Sequence, residues 1–130
     1  MPTWTFKCFL SDRGENIVRT WLAGLPKKVA LKIDIRIRHL ANIKNLQGEP
    51  VYIKPLTGYD GILEIRVVFG RVQYRPLCCY GPGQNDITIL IGAIEKGDEF
   101  EPLDAPNIAT NRRKSILEKR NRVCDYFDLQ

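Results

Sequence analysis

Val29-Ala-Leu-Lys-Ile-Asp-Ile-Arg-Ile-Arg-His-Leu40 carries two periodicities at once, and the fold turns on which one the chain obeys. Val29, Leu31, Ile33, Ile35 and Ile37 alternate with polar or small residues, the two-residue repeat of a half-buried strand. Val29, Ile33, Ile37, Leu40 and Ile43 recur instead at the spacing of one helix face. The periodic stretch runs on to Leu46, about twice the usual strand length, and Pro26 sits ahead of it at a natural helix start. The segment therefore reads as a helix with a broad apolar surface.

On its N-terminal side, Thr3 to Leu10 alternates polar and apolar and reads as a first strand. Ser11 or Asp12 is placed to cap a following helix with Glu15 in its first turn and Ile17, Val18, Trp21, Leu22 and Leu25 on one face. On the other side, Gly48-Glu-Pro50 breaks the pattern, and three strand-like runs follow: Ile62 to Phe69, Val72 to Tyr80 and Asp86 to Ile94. Gly70-Arg71 is a hairpin-turn candidate and Tyr80 to Asn85 a longer, glycine-rich connection. Lys96 to Pro106 reads as a loop, and Asn107 or Thr110 opens a basic last helix carrying Ile116, Leu117, Val123 and Phe127. The predicted order is β-α-α-β-β-β-α. That is an α+β domain spanning residues 1–130, a small antiparallel-rich sheet with helices packed on one side.

A chain of 130 residues is large enough to bury a core without disulfides or metal. Hydrophobic residues make up 44% and charged ones 27%, the balance of a globular domain, and no run approaches the ~18 apolar residues of a membrane span. The start carries Lys7, Asp12 and Arg13 and no apolar run of signal-peptide length, so the expectation is a cytoplasmic, reduced protein with no membrane partner. Net charge is +5 with a pI near 9.1, compatible with an anionic partner but common in proteins without one. Cys8, Cys78, Cys79 and Cys124 form no CxxC pair, and His39 is the single histidine, so no metal site is expected; buried thiols are the default. Gly81-Pro82-Gly83 lacks the lysine and helix start of a phosphate-binding loop, and no small-molecule cofactor is expected.

What remains is cationic. Lys54, Arg66, Arg71 and Arg75 lie on or beside the first two strand-like runs, where cations on adjacent strands about 4.8 Å apart can converge on a phosphate. The alternative is a solvated sheet face on which Glu64 partners Arg75, a type of exposed pair worth only about 0–1 kcal/mol. A second cluster, Arg112, Arg113, Lys114, Lys119, Arg120 and Arg122, suits either a solvated helix face or an electrostatic arm for RNA. Lys96 follows the last strand, next to Glu95 and Gly97, placed for a site or for loop charge balance.

The ordered set Lys54-Pro-Leu56, Leu63-Glu-Ile-Arg66, Tyr74-Arg75, Ile89-Leu90 and Ile94-Glu-Lys96 resembles the RelE/HigB-like toxins of bacterial toxin–antitoxin modules, in particular their phage-derived, host-killing branch. The likeness covers about residues 3 to 115. It implies a RelE/ParE-like fold and a type II toxin that cuts mRNA on the ribosome without a metal, by attack of the 2′-hydroxyl on the adjacent phosphate. It also implies a cognate helix-turn-helix antitoxin as partner. Carried over by motif, Arg75 stabilises the phosphate, Lys54 and Arg66 bind or polarise RNA, and Lys96 matches a basic strand-end position. Arg71, Arg112 and Arg113 would add RNA contacts, and Tyr74 would stack on a base or pack in the core. Relatives often pair two lysines where this chain has Lys96-Gly97, and often place a histidine or tyrosine nearby for proton transfer; no histidine follows residue 39. The alternatives are a non-catalytic phage-derived factor binding RNA or protein on the same fold, and a gyrase-targeting toxin.

Overall fold

In the computed structural model, which describes residues 3–127, the deciding segment is a helix, α2, spanning Lys27–Ala41. Val29, Ile33, Ile37 and Leu40 are buried, whereas Leu31 and Ile35, the members peculiar to the alternating pattern, are 59% and 57% exposed. The 3.6-residue period thus decides what is buried, and the alternation is incidental. The helix ends at Ala41, short of Leu46, and Leu46–Gly48 forms a separate 3-10 turn. The preceding helix, α1, spans Ile17–Ala23 and is capped by Asn16, whose side chain accepts the Val18 and Arg19 N–H groups. Ser11 and Asp12 do not cap it. The chain first makes a tight turn in which Gly14 N–H donates to the Ser11 carbonyl and Glu15 N–H to Ser11 Oγ.

Among the described residues ten short strands form two sheets: β1 Thr5–Phe9, β2 Ile53–Pro55, β3 Leu63–Ile65, β4 Val67–Phe69, β5 Val72–Tyr74, β6 Leu77–Tyr80, β7 Asp86–Ile91, β8 Ile94–Lys96, β9 Glu99–Glu101 and β10 Val123–Asp125. The larger has the order β10-β1-β7-β6-β3-β2 and the smaller β4-β5-β8-β9. All pairings are antiparallel except β1 with β7. Each of the three strand-like runs is broken once. Arg66 separates β3 from β4, Arg75-Pro76 separates β5 from β6, and Gly92-Ala93 separates β7 from β8. The breaks are in register, because Ile65 N–H donates to the Pro76 carbonyl and Arg75 N–H to the Ala93 carbonyl. One three-stranded ribbon therefore breaks along a single line and supplies strands to both sheets.

Pro76 has no N–H to give a ladder at the break, and Gly92 lets the Trp21 ring lie against the strand, where a Cβ would stand 1.9 Å from it. Side chains alternate across the larger sheet. Phe6, Cys8, Cys78, Ile87 and Ile89 pack with α1 and α2, while Phe9, Leu77, Cys79 and Leu90 pack with a third helix, α3, spanning Ala105–Leu117. The domain is α+β, but its helices cover both faces of this sheet rather than one side. The tail also departs from expectation. The last helix starts at Ala105 rather than Asn107 or Thr110 and stops at Leu117, and Val123 belongs to an edge strand paired with β1. The stretch read as a loop contains the β8–β9 hairpin. Among the described residues no helix is long and apolar enough to cross a membrane.

Candidate functional site

Arg75 sits in the bend and is 1% exposed. A guanidinium this deep needs partners, and it has them. Nε donates to Glu95 Oε1 at 3.0 Å, Nη1 to the Tyr74 carbonyl at 3.1 Å, and Nη2 to Gln73 Oε1. Glu64, 6% exposed, lies 3.9 Å from Arg75 Nε and 3.7 Å from Arg66 Nη1. Burial pushes the Glu64 carboxyl above its ordinary value, and Arg66 and Arg75 pull the other way. The bend thus joins Arg66 and Arg75 through one shared carboxylate, Glu64.

In front of this pair is an open cleft of about 490 Å³, lined by side chains of α2, β2, the bend and β4. α2 contributes Lys32 and Arg36, one helical turn apart. Lys32 Nζ donates to the Val68 carbonyl, and Arg36 donates to the Arg66 carbonyl while its guanidinium stacks 4.0 Å over the Tyr52 ring. Burial lowers the Arg36 pKa from its usual value, although an arginine stays charged throughout the working range. β2 contributes Lys54, which pairs in register with Glu64 and is exposed. Lys32, Arg36, Lys54, Arg66 and Arg75 therefore face one concavity, with Glu64 and Glu95 as the carboxylates near them. Two of these cations, Lys32 and Arg36, are satisfied by backbone carbonyls rather than by carboxylates, so their charge is left for an anionic visitor.

The other predicted site residues lie elsewhere. Arg71 is at the tip of the β4–β5 hairpin, where φ of 58° at Gly70 and 69° at Arg71 define a two-residue turn with both residues left-handed. Tyr74 is buried among core side chains and presents no ring to a base, the second of the two roles expected for it. Lys96 is exposed and pairs with Glu101 at 3.2 Å. Its neighbour Glu95 reaches Arg75, and successive strand residues point to opposite faces, so Lys96 turns away from the cleft. Arg112 and Arg113 are on α3, across the larger sheet from α2. Arg112 donates to the Leu90 carbonyl at 2.7 Å and covers Phe9, and Arg113 packs over Gly61.

Lys32, Arg36 and Tyr52 are the cleft residues that sequence reasoning missed. The available signal was the i, i+4 pair Lys32 and Arg36 beside the apolar face of a segment that reads as a helix. Chemically the cleft can hold a polyanion at its mouth and, below it, an arginine already engaged by carboxylates. No protein-family model, curated protein or solved structure matches the chain.

Proposed function

We infer that this chain is an RNA-binding toxin of the RelE/HigB type, the toxin half of a type II toxin–antitoxin pair, which cleaves mRNA on the ribosome. The observation that carries the reading is the convergence of Lys32, Arg36, Lys54, Arg66 and Arg75 on one open cleft. Successive phosphates of a single strand suit such a track of cations, and each one neutralised adds salt-dependent affinity. In this reading Lys32, Lys54 and Arg66 hold the backbone. Arg75 stabilises charge on the phosphoryl group as the 2′-oxygen bonds to phosphorus and the 5′-oxygen leaves, once the phosphate takes the place of Glu95. A helix-turn-helix antitoxin with acidic residues over the cleft would neutralise it.

A second reading is favoured by one observation. Arg75 is sealed by Glu95 and Gln73, which suits RNA binding without cleavage. The two are separated by inducing the chain with and without its neighbouring gene and mapping mRNA ends in translating extracts. Lys32→Ala and Lys54→Ala remove exposed cleft cations and leave the buried bend in place. Growth arrest with new mRNA ends that both substitutions suppress supports the toxin. RNA retained on the protein with intact mRNA supports the binding factor, and intact mRNA with no RNA retained sinks both.

A further inference from the structure

β1 and β10 place Cys8 directly opposite Cys124. Tyr126 N–H donates to the Phe6 carbonyl at 2.9 Å and Leu10 N–H to the Arg122 carbonyl at 3.1 Å. Hydrogen-bonded pairs alternate along an antiparallel ladder, so Cys8–Cys124 is of that kind, with Cα atoms about 5.5 Å apart. Disulfides span Cα separations of about 4.4–6.8 Å. Registered partners share a face, and both thiols belong to the core layer beneath α1 and α2.

The pair is asymmetric. Cys8 is buried, and burial together with the neighbouring Cys124 pushes its thiol up to about 12. Cys124 is half-buried and lines a groove of about 560 Å³ with Asn16, Arg19 and Asp125. Asn16 Nδ2 donates to Cys124 Sγ at 3.4 Å. The remaining cysteines do not compete. Cys78 and Cys79 are strand neighbours on opposite faces, and β7 separates Cys78 from Cys8 through Ile89.

We propose that Cys124 and Cys8 are an oxidation site for peroxides, Cys124 reacting first and Cys8 resolving it to a cross-strand disulfide. The Cys124 sulfur attacks the O–O bond and takes one oxygen, giving a sulfenic acid and the first water. The Cys8 sulfur then attacks Cys124 Sγ; the S–S bond forms, the S–O bond breaks, and the hydroxyl leaves with the Cys8 proton as the second water. The peroxide is reduced as the two thiols are oxidised. Cβ atoms of a hydrogen-bonded pair stand about 5 Å apart, wider than the ~3.5–4.5 Å of a disulfide, so the bond draws β10 inward and is readily reversed by thiols. β10 is a three-residue edge strand followed by Tyr126, which bonds Asp34 of α2 at 2.8 Å. Oxidation therefore pins the C-terminal strand onto the sheet and onto α2.

The test is peptide mapping by mass spectrometry of the full reduced chain after hydrogen peroxide, with non-reducing conditions throughout. The expected product is a peptide joining Cys8 to Cys124, lacking two hydrogens, released by dithiothreitol and absent in Cys124→Ser. The oxidised chain should unfold about 5–10 °C higher than the reduced one, because the bridge closes most of the chain into a loop. Cys124 carried to sulfinic acid with Cys8 still open to alkylation after unfolding would overturn the proposal. So would a bridge to Cys78 or Cys79. The wild-type product decides the matter even if a Cys8 variant fails to fold.

Discussion

Replacing Arg75 with alanine should unfold the domain more than it should disable a cleft. The guanidinium holds Glu95, Gln73 and the Tyr74 carbonyl, and lies 3.9 Å from the buried Glu64. Removing one partner of a buried ion pair costs about 3–5 kcal/mol, against a total stability of about 5–15 kcal/mol for a domain of this size. Urea unfolding followed by fluorescence of Trp4 and Trp21 would read this as a midpoint about 2–3 M lower, for a slope near ~1.5 kcal/mol/M. The loss should also depend on pH. Glu64 has a folded pKa raised by burial, so its contribution is favourable when protonated and is lost as pH rises through the folded value. Arg75 opposes that rise, so without it the Glu64 carboxyl should move higher still, and the gap between variant and parent should narrow as pH falls from 7 toward about 5. A midpoint unchanged within about 0.3 M, or a gap that widens on acidification, would refute the reasoning. Either result would return Arg75 to the list of residues whose loss can be read as chemistry.

Gly92→Ala should cost about 1–3 kcal/mol, because the new methyl meets the Trp21 ring; thermal unfolding measures it, and pairing it with Trp21→Leu should recover part of the loss. Lys54→Ala should leave the thermal midpoint unchanged yet weaken single-stranded RNA binding across sequences. The log–log salt slope should become shallower by about 1 in filter binding, and an unaltered slope would remove Lys54 from the cleft's footprint.

How far the sequence could be read follows from where its information is local. The burial of α2 was legible because four aliphatic residues a turn apart outvote an alternation that leaves Leu31 and Ile35 in solvent. The bend was not recognised, although Pro76 and Gly92 both advertised a broken strand, because its alignment across three strands is a tertiary fact. α3 on the far face was equally hidden, since Leu77, Cys79 and Leu90 make β6 and β7 apolar on both sides and erase the alternation that would have shown which side was covered. Of the cations singled out in the sequence, Lys54, Arg66 and Arg75 line one cleft. Lys96 was carried over from the resemblance and Arg112 and Arg113 were read from their charge, and neither ground says which way a side chain points.

The aligned breaks at Arg66, Arg75-Pro76 and Gly92-Ala93 behave mechanically as a crease rather than as three separate kinks. A sheet creased along one line and riveted there by a guanidinium resists straightening strand by strand, because each strand's neighbours hold its angle. The hairpin beyond the crease, with Arg71 at its tip, is then a stiff lever whose short arm is the Arg75–Glu95 contact. A load on the tip should reach the rivet along one backbone, since Arg71 and Arg75 flank the two ends of β5.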